Sequence, residues 1–73
     1  MSAQQIEDRF IRIGEVINKT GRARSTIYAD IQKLEFPAPI KTGLRASAWL
    51  LSDIDAWMTR RIEESRQSHK GAA

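Results

Sequence analysis

With 73 residues, 12 lysines and arginines against nine acids, one histidine and no cysteine, the chain has room for one small domain that buries only about 60% of its unfolded surface. That size disfavours a deep catalytic cleft. The lack of cysteine excludes a disulfide framework, a thiolate metal site and a thiol nucleophile, so the fold must rest on its apolar core, as suits a reducing cytosol.

Residues 1–8 are polar and without periodicity, which predicts a flexible N-terminus ahead of a domain over 9–66 and a flexible tail over 67–73. Met1–Arg12 lacks the uninterrupted apolar run of a signal peptide, and no segment approaches the ~20 apolar residues that span a bilayer. A cytoplasmic protein with no membrane partner is expected.

Ile13, Val16 and Ile17 fall at i, i+3 and i+4, one side of a short helix. Gly21 supplies the left-handed residue that ends it. A second helix opens at Arg24, and its Ile27, Ile31 and Leu34 at i, i+4 and i+7 predict an apolar stripe toward the first helix. Two helices about a short glycine-containing turn are the outline of a helix-turn-helix, whose second helix can enter a DNA major groove. Stepping about 100° per residue from Ile27 places Ser25, Tyr28, Ala29 and Gln32 outward, with Thr26 and Lys33 on a flank and Arg24 near the helix start. That face offers guanidinium, amide and hydroxyl groups of the kind that read base edges, and no acid, since Asp30 falls beside the stripe.

Phe36-Pro37-Ala38-Pro39 cannot continue a helix, because proline lacks the amide donor and restricts the residue before it. Ile40-Lys41 and Ser47-Ala48-Trp49 are short strand candidates, read as a hairpin with a basic tip whose Lys41, Thr42 and Arg45 reach phosphate or an adjacent minor groove. A plain structural hairpin with solubilising charges is the alternative. Ser52 is expected to cap the last helix, with Asp55 three positions on in a shortened capping box. Ile54, Trp57, Met58 and Ile62 form its apolar stripe. Trp49, Trp57 and Phe36 are expected in the core.

The net charge of +3 is unevenly placed. Between Lys19 and Arg45 six bases, Lys19, Arg22, Arg24, Lys33, Lys41 and Arg45, meet only Asp30 and Glu35, while the flanks are near neutral. Concentrated positive charge attracts a phosphate backbone, although a solvated basic face with no partner has the same composition. With these features the chain reads as mainly α with a small β-hairpin, a winged helix-turn-helix whose DNA-binding residues are Arg22, Arg24, Ser25, Thr26, Tyr28, Gln32, Lys33, Lys41, Thr42 and Arg45.

From about Arg9 to Ile62 the chain resembles the AlpA-like phage and prophage regulators, relatives of excisionases with a MerR-like winged helix-turn-helix. The resemblance rests on Ile13 with Glu15-Val16, Thr20-Gly21, Arg24-Ser25-Thr26-Ile27-Tyr28, Phe36-Pro37-Ala38-Pro39, Ala48-Trp49 and Ser52-Asp53-Ile54-Asp55-Ala56-Trp57, in that order and spacing. It implies a DNA binder near prophage genes that activates transcription or steers an integrase toward excision by bending DNA. It also implies that Arg24, Ser25 and Tyr28 contact DNA. Two departures stand out: Ala23 replaces the serine that often caps the second helix, and Ala29 a position often basic or bulky.

Enzyme chemistry has no support in the residues. His69 sits alone in the polar tail, the four glycines form no phosphate-cradling loop, and Glu63-Glu64 read as a solvated pair. No metal or cofactor is expected. Two functions remain. One is a sequence-specific binder of double-stranded DNA, monomeric in solution and cooperative on repeated sites; the other is a protein-interaction module docking on an integrase or regulatory protein through Trp57, Met58 and Ile62.

Overall fold

The computed structural model describes residues 8–72, with side chains through residue 67. Expectations for Met1–Glu7, for Ala73 and for the His69 side chain lie outside the described residues. In chain order the elements are β1 (Phe10–Ile11), α1 (Ile13–Thr20), α2 (Arg24–Gln32), β2 (Ile40–Gly43), β3 (Ala46–Leu50) and α3 (Leu51–Ala72). The strands form one antiparallel sheet in the order β1-β3-β2, so three helices and a wing-like hairpin make up the winged helix-turn-helix expected from the sequence.

Strand β3 is the centre of the architecture. On one edge Phe10 and Ile11 pair with Leu50 and Trp49; on the other Ile40 and Lys41 pair with Ala48 and Ser47. Ala48 and Trp49 are buried where β3 runs through the core. The core proper gathers Ile11, Val16, Ile27, Phe36, Trp49, Ile54 and Trp57, with Ile13, Ile17, Ile31, Leu51 and Met58 packed against it. Every element except the tip strand β2 contributes, which is how a chain this short closes a core without disulfides.

The turn between α1 and α2 is built by local hydrogen bonds. Gly21 takes φ 74° and donates its amide to Ile17 O at 2.8 Å. Thr20 Oγ1 donates back to Val16 O at 2.8 Å and accepts from the Arg22 amide at 3.3 Å. The Ala23 carbonyl accepts the Ile27 amide at 3.0 Å, but no side chain caps α2, as expected of an alanine at this position.

Leu34 departs from its expected place in the α2 stripe. The helix stops at Gln32, Leu34 adopts φ 61° and its side chain is 90% exposed. The Leu34 amide donates to Ile31 O at 3.0 Å and the Glu35 amide to Asp30 O at 2.8 Å, the paired bonds of a Schellman ending with leucine in the left-handed position that glycine usually fills. Relief of that conformation, offset by glycine's greater freedom in the unfolded chain, makes Leu34→Gly stabilising by about 0.5–1 kcal/mol. Thermal melts should show a midpoint a few degrees higher; a lower midpoint would mean that the leucine packs on something.

The connection from Lys33 to Pro39 has no regular structure, and two indoles pin it. Trp57 Nε1 donates to Glu35 O at 3.0 Å and Trp49 Nε1 to Pro37 O at 2.8 Å. Phe36 packs between them in sequence and meets the Trp57 ring at a centroid distance of 4.8 Å, tilted by 60°, within the favourable range for offset aromatic pairs.

Helix α3 begins one residue earlier than expected, at Leu51, and the expected Ser52–Asp55 box is replaced by a long-range cap. The Asp8 carboxylate accepts from the Ser52 amide at 3.0 Å and the Ser52 hydroxyl at 2.5 Å, and Arg9 O accepts the Leu51 amide at 2.9 Å. The Ser52 hydroxyl bond, with help from the backbone, holds the Asp8 carboxyl below its ordinary value. Asp8 is thus tied to the domain, and the helical backbone of α3 runs on through the segment read as a tail. Ile54 and Trp57 of its stripe are buried, whereas Ile62 lies beyond the core and is about half exposed.

Candidate nucleic-acid interface

Ile27, fully buried, fixes the rotation of α2. That choice leaves Arg24, Ser25, Thr26, Tyr28, Ala29 and Gln32 exposed, with Lys33 exposed just beyond. The Tyr28 phenol presents a half-exposed ring on this face. The exposed residues are those picked out by stepping around the helix from the sequence, and Asp30 is drawn away from them.

Asp30 is held by Arg22. Their ion pair measures 2.5 Å between Nη1 and Oδ2, with the side chains 30% and 13% exposed. The Arg22 guanidinium carbon also lies 5.2 Å from the centroid of the Trp57 ring, a cation–π distance. The structure therefore places Arg22, named with the groove-facing residues, in a structural clip across the turn. Lys19 is engaged too, with Asp55 at 3.2 Å. Sequence alone suggests neither pairing: Lys19 and Asp55 are distant along the chain, and Arg22 and Asp30, eight residues apart, have no helical spacing that would bring them together.

Those two pairs sharpen the charge pattern. Of the six bases between Lys19 and Arg45, Arg24, Lys33, Lys41 and Arg45 are exposed and form no ion pair with any described residue. Two belong to α2 and its end, two to the hairpin.

The hairpin turns through Leu44-Arg45, between Gly43 and Ala46, which face each other across the strands. Neither turn residue has positive φ, so the loop is not one of the primed turns whose twist matches a hairpin. The register slips between Lys41 and Gly43, which leaves Thr42 out of the paired ladder. Lys41, Thr42, Leu44 and Arg45 are all exposed. Leu44, absent from the residues singled out in the sequence, is 92% exposed at the tip; an apolar residue where a turn favours glycine or asparagine was the available signal.

A groove of about 470 Å³ lies between the α2–β2 connection and α3, lined by residues that include Phe36, Asp53, Trp57 and Arg60. None of the DNA-binding candidates lines it. Among the described residues no three His, Cys, Asp or Glu side chains come together as a metal-binding set, and no helix is long and apolar enough to cross a membrane.

Comparison with known proteins places this sequence in a family. ORF88, an uncharacterized protein of Enterobacteria phage P4, is 41% identical over 63 residues, covering 86% of this chain and 72% of its own. The DNA-binding transcriptional activator AlpA of Escherichia coli K12 is 34% identical over 61 residues, covering 75% of this chain and 87% of its own. No solved structure matches. The model of the prophage CP4-57 regulatory protein family, AlpA, matches residues 9–62, from the first strand through the buried part of α3, and the chain belongs to that family.

Proposed function

We propose that this protein is a sequence-specific regulator that binds double-stranded DNA, with α2 in the major groove and the β2–β3 hairpin on the flanking backbone. The observation that carries this reading is the placement of Arg24, Lys33, Lys41 and Arg45, exposed and without an ionic partner among the described residues, on α2 and the hairpin. Arg24 and Gln32 read base edges; Ser25, Thr26, Tyr28 and Lys33 position the helix on phosphate; Lys41, Thr42 and Arg45 hold the flank. A relative named as a DNA-binding transcriptional activator supports the regulatory role. In this reading the domain works in the cytoplasm as a monomer that can line up on repeated sites, and it needs no cofactor and catalyses no reaction. The competing protein-docking surface on α3 is diminished, because Trp57 is consumed by the core and leaves only half-buried Met58 and half-exposed Ile62.

The test is a titration of the wild type, Arg24→Ala and Lys41→Ala against duplexes from the DNA flanking the gene, over a salt series. Arg24→Ala should lose about 1–3 kcal/mol and discriminate less between sites, whereas Lys41→Ala should weaken all duplexes alike and reduce the salt slope by about one. Binding that is flat with salt and indifferent to both substitutions would reject the assignment.

A further inference from the structure

We infer that Leu44 is an apolar wedge that enters the minor groove of the bound duplex and opens a base step there. The inference rests on the DNA-binding reading above and assigns a residue outside the polar contact set.

Leu44 occupies the first position of a two-residue turn and is 92% exposed. It packs on nothing in the core, so its side chain contributes no folding energy that would account for it. The turn itself would be better served by asparagine or glycine, which adopt the primed geometry directly. Here the chain instead accepts an irregular register at Thr42 to close a loop of leucine and arginine. Single exposed leucines are ordinary on protein surfaces, but this one is surrounded by a particular chemistry. Lys41, Thr42 and Arg45, within three residues of it on the same hairpin, are exposed too, and from Phe36 to Ser52 the sequence contains no acid.

An apolar point within a cationic, hydroxyl-bearing collar fits a duplex groove. The collar meets phosphates while the aliphatic group meets the faces of bases at a step, the arrangement by which leucine, isoleucine or phenylalanine wedges unstack and kink DNA. The leucine is also held at a fixed place. The strand after it descends through Ala48 and Trp49 into the core that seats Ile27 of α2, so the tip is positioned relative to the groove-reading helix before any DNA arrives.

The experiment begins with selection of duplexes from a random library by the wild-type protein. The selected site is then placed at the middle and at the end of fragments to measure bending by gel mobility, and 2-aminopurine is substituted along it to report unstacking. The wild type should bend the site by about 20–90° and raise 2-aminopurine fluorescence at one step. Leu44→Ala and Leu44→Lys should lose most of the bend and the fluorescence rise. Their affinity should fall less than about tenfold, because unstacking opposes the gain from burying the side chain. Both variants should melt with the wild type, since the residue is exposed.

Wild-type binding without a bend, or a bend that survives Leu44→Ala, overturns the wedge while leaving the DNA-binding reading intact. Failure to select any duplex overturns both. Leu44-dependent binding to phosphatidylglycerol vesicles, with no bend in any selected duplex, would reassign the tip to an anionic membrane surface.

Discussion

Trp49→Ala is expected to remove from about a third to all of the domain's stability and to lower its melting midpoint by more than about 10 °C. Truncating a buried tryptophan costs about 3–5 kcal/mol, against a total stability of about 4–11 kcal/mol for 73 residues. The position magnifies the loss. Trp49 lies on the central strand, pairs with Ile11 of β1, is almost completely buried, and donates its indole N–H to Pro37 O at 2.8 Å. One substitution therefore loosens the N-terminal strand, the wing and the proline connection together. Trp49→Phe keeps much of the ring but loses the donor, and should lower the melting midpoint by several degrees without abolishing the fold. Circular dichroism melts, with Trp57 fluorescence as the reporter of packing, check both. A Trp49→Ala protein that melts within a few degrees of the wild type would contradict the core described above.

Arg22→Ala should destabilise by about 1–3 kcal/mol, because it leaves the mostly buried Asp30 carboxylate without its cation and removes the guanidinium from the Trp57 face. Asp30→Ala alone should also destabilise. The double variant should be less damaged than the two losses added, since each single change strands the other partner. A double-mutant cycle in urea measures the coupling, and additive losses would mean that the pair is incidental. The same variant separates structure from recognition. At a temperature where it is folded, Arg22→Ala should lose less DNA affinity than Arg24→Ala, whose guanidinium has no ionic partner among the described residues. A larger loss would return Arg22 to the groove-facing set.

Features set by local periodicity were legible from the residues. The rotation of α2 follows from Ile27, and with it the exposure of Ser25, Tyr28 and Gln32; the Gly21 ending of α1 and the placement of the hairpin after Pro39 also came through. What escaped depends on partners far apart in sequence. A two-residue strand such as Phe10–Ile11 has no period of its own and exists because β3 offers an edge. The cap of α3 comes from Asp8, 44 residues away, so Ser52 looks from its neighbours like a self-sufficient cap. Leu34 followed the helical spacing one turn too far, since a leucine gives no warning of a left-handed backbone. In the interface, composition located the basic segment, but only the fold shows that Lys19 and Arg22 are spent on Asp55 and Asp30.

The wing is the outward end of β3, whose other end runs directly into α3 with no intervening loop. An arm joined to a helix in that way has no hinge on that side. The backbone entropy of ordering it is lost when the domain folds, so in the DNA-binding reading only the exposed side chains of the wing remain to be ordered on the duplex, and association is favoured by that difference. It also fixes the distance between whatever α2 reads and whatever the tip touches. In the DNA-binding reading, the protein then tolerates no variable spacer between the two contact sets, and a base pair inserted between them would forfeit one set entirely.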